Sequence, residues 1–90
     1  MPLFTYIACY RGGTHADQDR RSNFKGFASL VIGRIPDNAL PGLNKALRNS
    51  AVEKTMGVEW QPIPNRTNVW RTSFDLDGSD FAIYAVQTQT

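Results

Sequence analysis

The sequence predicts a single α+β domain, an antiparallel sheet of four or five strands with two helices packed on one face. Three observations carry that reading. Two strand-like segments meet at Gly12-Gly13 near the start, and two more meet at Asp77-Gly78 near the end. Between them the apolar residues switch from a period of two to a helical spacing. The 90 residues fit one domain of this kind, and runs of strands beside runs of helices favour an antiparallel sheet over a parallel one.

Residues 3–11 are rich in aromatic and β-branched side chains, as strands are. Gly12-Gly13 supplies a two-residue loop free to adopt positive φ, and residues 14–20 return. With both glycines in the loop, Tyr10 faces His15, Cys9 faces Ala16 and Ile7 faces Gln18. Alternation then sorts the side chains onto two faces. One carries Leu3, Thr5, Ile7, Cys9, Thr14, Ala16 and Gln18. The other carries Phe4, Tyr6, Ala8, Tyr10, His15, Asp17 and Asp19. The two carboxylates and the histidine assign the second face to solvent and the first to the core.

Ser22 is the expected N-cap of a first helix. Phe24, Phe27, Ala28, Val31 and Ile35 then recur on one helical stripe, and Pro36 ends it. Pro41 suits the first turn of a second helix, with Leu40, Leu43, Ala46 and Leu47 as its apolar stripe and an end between Asn49 and Gly57. Residues 58–63 form a brief strand that Pro62 confines to a sheet edge. Residues 69–76 and 79–87, joined by Asp77-Gly78, give the clearest hairpin. Phe74 faces Phe81, Thr72 faces Ile83 and Trp70 faces Ala85, so Trp70, Phe74, Leu76, Phe81 and Ile83 share one face.

Four fragments, Met1-Pro-Leu-Phe-Thr5, Tyr10-Arg-Gly-Gly-Thr14, Asn68-Val-Trp70 and Val86-Gln-Thr88, resemble a group of short uncharacterised bacterial proteins. The resemblance covers both hairpins. It implies a small bacterial cytoplasmic protein and transfers no activity.

Composition narrows the function further. The longest nearly apolar run spans residues 27–33, far short of the ~20 residues that cross a bilayer, so no membrane association is expected. Cys9 is the single cysteine, which leaves no internal disulfide or cysteine zinc cage and suits a reducing cytoplasm. The net charge is only +2, split between a basic first half (+4 over residues 1–50) and an acidic second half (−2 over residues 51–90).

No phosphate loop, dinucleotide fingerprint or nucleophile elbow is present. His15, Asp17 and Asp19 alternate along one strand ~6–7 Å apart, too wide for one ion without further ligands. Asp75 to Asp80 lacks the terminal glutamate of a calcium loop and reads as a turn. Cys9 and His15 fall on opposite faces, which separates a nucleophile from a base. A non-catalytic protein without a cofactor or metal is therefore expected.

The aromatic face is the feature with most functional content. In the preferred reading Phe4, Tyr6, Tyr10, Arg11 and His15 form a protein interface, with a second copy as a plausible homodimer partner. The alternative is single-stranded nucleic acid, with Tyr6 and Tyr10 stacking on bases and Arg20, Arg21 and Lys25 meeting phosphate. Asp17 and Asp19 on the same face oppose that alternative. In a third reading the second helix or residues 58–63 cover the aromatics and make them core.

Overall fold

The computed structural model describes residues 1–22 and 24–89, with the backbone alone for residues 25–27 and 89. Seven elements follow in order: β1 (Leu3–Tyr10), β2 (Gly13–Arg20), α1 (Lys25–Gly33), α2 (Lys45–Gly57), β3 (Gln61–Pro62), β4 (Val69–Leu76) and β5 (Ser79–Gln89). The strands form one antiparallel sheet in the order β2-β1-β5-β4-β3. The fold is thus the expected α+β arrangement, with the first and last strands side by side at its centre. No helix among the described residues is long and apolar enough to cross a membrane.

Both hairpins turn through two residues at positive φ, the signature of a type I′ turn. At the second hairpin these are Asp77 (φ 54) and Gly78 (φ 81), and its register pairs Phe74 with Phe81, Thr72 with Ile83 and Trp70 with Ala85 as the alternation predicts. At the first hairpin they are Arg11 (φ 48) and Gly12 (φ 82), and Gly13 is already the first residue of β2. Cys9 therefore faces Thr14 and Ala8 faces His15. The turn lies one position earlier than Gly12-Gly13. Both partners move together, so the membership of the two faces survives the shift.

What changes is which face is inside. Phe4, Tyr6 and Tyr10 are 3%, 0% and 1% exposed. They join Ala8, Leu76, Phe81, Ile83 and Ala85 of the sheet, Ala28, Val31 and Ile32 of α1 and Ala51 of α2 in one core cluster. The expectation that Leu3, Thr5, Ile7 and Cys9 point inward is overturned, and the aromatics expected outside are core. Two hydroxyls enter with them and both are satisfied, as buried polar groups require. Tyr6 Oη donates to the Phe24 carbonyl and Tyr10 Oη to the Leu76 carbonyl, each at 2.8 Å. Around the start of α1, Phe24 stacks on Trp70 with centroids 4.2 Å apart and meets Trp60 edge-on at 5.1 Å.

The helix starts also differ from expectation. Phe24, not Ser22, occupies the N-cap of α1, and no side chain caps it. Ile32 is buried beside the predicted stripe and Ile35 just beyond the helix; the side chain of Phe27 lies outside the described residues. Residues 41–43, expected as the first turn of the second helix, instead belong to a turn closed by Leu43 N–H on the Leu40 carbonyl (3.1 Å). Pro41 at its second position and Gly42 at its third, with φ 75, match a type II turn. Leu40 and Leu43 still reach the core from this loop. Helix α2 begins later, where Asn44 Oδ1 accepts from Leu47 N–H at 2.9 Å. The strand expected over residues 58–63 contracts to Gln61–Pro62 at the sheet edge.

Candidate functional site: the second face of the sheet

Because the even residues of β1 join residues of both helices in the core cluster, the odd residues build a second face outside it. None of its side chains belongs to the core cluster. The register arranges them in rows across the strands. One row is Thr14, Cys9, Ala82 and Ser73. The next is Ala16, Ile7, Tyr84, Arg71 and Gln61. A third is Gln18, Thr5, Val86 and Val69.

The centre of this face is apolar and its margins are polar. Ile7, Tyr84 and Val86 are half-buried, while Ala16 and Gln18 on β2 are exposed. Tyr84 is the one aromatic side chain in these rows. Its hydroxyl accepts from Arg71 Nε at 3.3 Å, and the Arg71 guanidinium carbon sits 5.6 Å from its ring centroid. Arg71 also reaches Ser73 Oγ at 3.4 Å and Asp80 at 3.8 Å. Toward β2, Gln18 Nε2 donates to Thr5 Oγ1 at 2.8 Å, and Thr5 Oγ1 lies 3.3 Å from Thr88 Oγ1. Beside Tyr84 the row of Thr14, Cys9, Ala82 and Ser73 forms a low terrace of small side chains. Cys9 Sγ is 3.9 Å from Thr14 Oγ1 and forms no disulfide.

The residues nominated from sequence are dispersed. Phe4, Tyr6 and Tyr10 cannot contact a partner, since they form the core under the helices; this removes three of the five interface candidates and both stacking residues of the nucleic-acid alternative. Arg11 stays at the surface as a clasp between the two hairpin turns. Its Nη2 reaches Asp77 Oδ2 and the Asp77 carbonyl at 3.2 Å, its Nε reaches Ser79 Oγ at 3.2 Å, and its guanidinium covers the Tyr10 ring at 4.9 Å. His15 is half-buried on the helix side of β2, directly opposite Ala8. Arg20 donates to the Met1 carbonyl at 3.2 Å. Arg21 pairs with Asp19 at 3.0 Å. The side chain of Lys25 lies outside the described residues.

Asp17 and Asp19 are ion-paired rather than solvated. Arg34, at the C-terminal end of α1, meets Asp17 Oδ2 through Nη2 at 2.8 Å and through Nε at 3.1 Å, and reaches Asp19 Oδ2 at 3.4 Å. Desolvation raises the Asp19 carboxyl, but the hydrogen bond and charge of Arg21, the Arg20 amide and Arg34 outweigh it and hold the group below the usual carboxylate range. The Tyr6 phenol moves the other way and is pushed up to about 12, by burial first and by the nearby Asp19 charge second, with Arg21 opposing. Among the described residues no three His, Cys, Asp or Glu side chains converge as metal ligands would. No protein-family model, curated protein or solved structure matches this chain.

Proposed function

We propose that the chain is a non-catalytic interaction module that self-associates through the second face of its sheet. The observation that carries this reading is the apolar patch of Ile7, Tyr84 and Val86, half-buried and outside the core cluster. A sheet of this kind ordinarily buries one face and wets the other, with polar residues on the wet side. Here Ile7, Cys9, Ala82, Tyr84 and Val86 hold the middle of the outward face of β1 and β5, with Thr5, Thr88 and Asp80 toward its ends, an apolar centre and polar margin like those of an interface.

The dimensions suit a second copy. Four long strands about 4.8 Å apart, over the eight residues that β1, β2 and β4 each span and β5 exceeds, cover roughly 500 Å2 in projection at about 3.3 Å per residue. Side-chain relief brings that toward the ~800 Å2 per partner of a standard interface. Two copies related by a twofold axis present the same patch to each other. The Tyr84 ring of one then has the small-residue terrace at Cys9 and Ala82 as its seat on the other, where an aromatic anchor in a shallow pocket contributes most. A cytoplasmic setting is consistent with the lone, unpaired Cys9.

Light scattering and sedimentation across a concentration series test the reading. The expected result is a concentration-dependent dimer that Tyr84→Glu reduces to monomer without loss of strand content. A wild-type chain that stays monomeric at high concentration overturns it.

A further inference from the structure

We propose that the outer edge of β2 is a strand-pairing surface for a second copy of this chain, held closed by Asp17 and Asp19. The argument starts from the backbone. Arg21 N–H bonds to the Pro2 carbonyl at 3.1 Å, in register with the β1–β2 ladder. Antiparallel strands alternate inward-bonded and outward-facing residues. The odd residues of β2 therefore bond to β1, and Thr14, Ala16, Gln18 and Arg20 turn their N–H and C=O groups outward. Eight residues without proline make a long open edge, the kind that pairs with another chain unless something blocks it.

Two of those outward amides are already bound. Gln18 N–H donates to Asp17 Oδ1 at 2.8 Å, and Arg20 N–H donates to Asp19 Oδ1 at 2.9 Å. Each carboxylate folds over the edge and caps the amide that follows it. Its second oxygen is held from behind: Asp17 Oδ2 by Arg34, and Asp19 Oδ2 by Arg34 and Arg21. Helix α1 thus anchors the caps through the guanidinium at its C-terminal end.

The far side of the sheet is closed by the same kind of device. There β3 is only two residues long and carries Pro62, which has no amide to offer. Beyond β3, Lys54 of α2 donates to the outward carbonyl of Asp75 at 2.8 Å. Charged side chains rather than a covering layer guard both edges.

A second copy fits the β2 edge. Two such strands running antiparallel about a twofold axis at Ala16 set Ala16 against Ala16 and Thr14 against Gln18, with Arg20 at the end of the seam opposite Gly12, so the middle of the seam on the open face carries only small and medium side chains. That pairing needs Gln18 N–H for the carbonyl of Thr14 in the other copy, the amide that Asp17 now occupies.

The test uses the Tyr84→Glu chain as parent, so that face-to-face association and its failure are kept separate. Asp17→Ala with Asp19→Ala should raise the molar mass of the parent at least twofold by light scattering. Asp17→Asn with Asp19→Asn should leave it at the parent value, because the amide oxygen still caps while the charge is gone. Adding Ala16→Pro to the alanine pair should return it to the parent value, since it deletes an outward amide at the seam. The proposal falls if the alanine pair keeps its strand content yet stays at the parent mass, if the asparagine pair associates equally, or if Ala16→Pro leaves the mass raised. Hydrogen exchange on the unmodified protein gives an independent reading should the alanine pair not fold. The Gln18 and Arg20 amides should exchange about fivefold or more slowly than those of Thr14 and Ala16 on the same edge; equal rates overturn the proposal.

Discussion

The hydroxyl of Tyr6 donates to the main-chain oxygen of Phe24 at 2.8 Å, tying the centre of β1 to the residue that precedes α1. Helix α1 has no side-chain cap and no acidic residue in its first turn, so this bond supplies local anchoring that its own sequence lacks. Tyr6→Phe keeps the packing and removes the bond, taking this partner from a part-buried carbonyl. A loss of about 1–3 kcal/mol is expected, read from denaturant unfolding.

The same tyrosine sets a limit at high pH. Its ionisation is pushed from 10.0 to about 12 in the folded chain, so folding favours the neutral phenol. Stability from this source is intact below pH 10 and is lost as pH rises through about 12. Unfolding followed against pH should steepen across that window, and Tyr6→Phe should flatten it.

Asp19 works in the opposite sense. Its folded carboxyl titrates below the usual range, so its contribution is present above that range and fades as pH falls through the lowered value. Asp19→Asn should therefore narrow the stability difference between neutral and acidic solution. An unchanged acid limb would mean that Arg21 and Arg34 do not act on this group.

At Gly42 the backbone has φ 75, and an added Cβ would collide with the Arg11 guanidinium that joins the two hairpin turns. Gly42→Ala should cost at least the ~1–2 kcal/mol of a left-handed non-glycine residue, and melting should fall accordingly. By contrast Asn44→Ala, which removes the cap of α2, should cost about 1 kcal/mol. That corresponds to roughly 4–8 °C in a domain of this size.

Labelled single-stranded oligonucleotides provide a negative control for the proposed self-association. With Tyr6 and Tyr10 inside the core, the aromatic pair nominated for base stacking is not available. Titration should show no tight binding that weakens steeply with salt, the mark of phosphate contacts.

Much of the architecture is legible in the residues. Asp77-Gly78 identifies its hairpin because aspartate and glycine both tolerate positive φ, and the large apolar side chains of that hairpin then fall on one side. The first turn is harder to read. Gly12-Gly13 offers the obvious loop, whereas the chain places Arg11 in the left-handed region and secures it to Asp77 and Ser79, contacts separated by more than sixty residues in sequence. The inverted faces have a similar origin. His15, Asp17 and Asp19 mark their side of β2 as wet, which is sound for a central strand. On an edge strand the carboxylates reach past the sheet to Arg34, so the aromatics of β1 beside them are free to be buried. The candidate face is missed for the same reason; period-two alternation names Tyr84 and Val86 as companions on one hairpin and Ile7 and Cys9 on the other, but says neither that β1 pairs with β5 nor which side the helices take.

The adjacency of β1 and β5 constrains how the chain is made. Of the five strands β1 leaves the ribosome first and has β2 available at once, but its other neighbour, β5, is the last of the five to follow. At ~5–20 residues per second, β1 waits several seconds with one side unpaired and its aromatics uncovered. Final closure of the core is accordingly a late event, and a nascent chain arrested before β5 emerges is the species most in need of a chaperone.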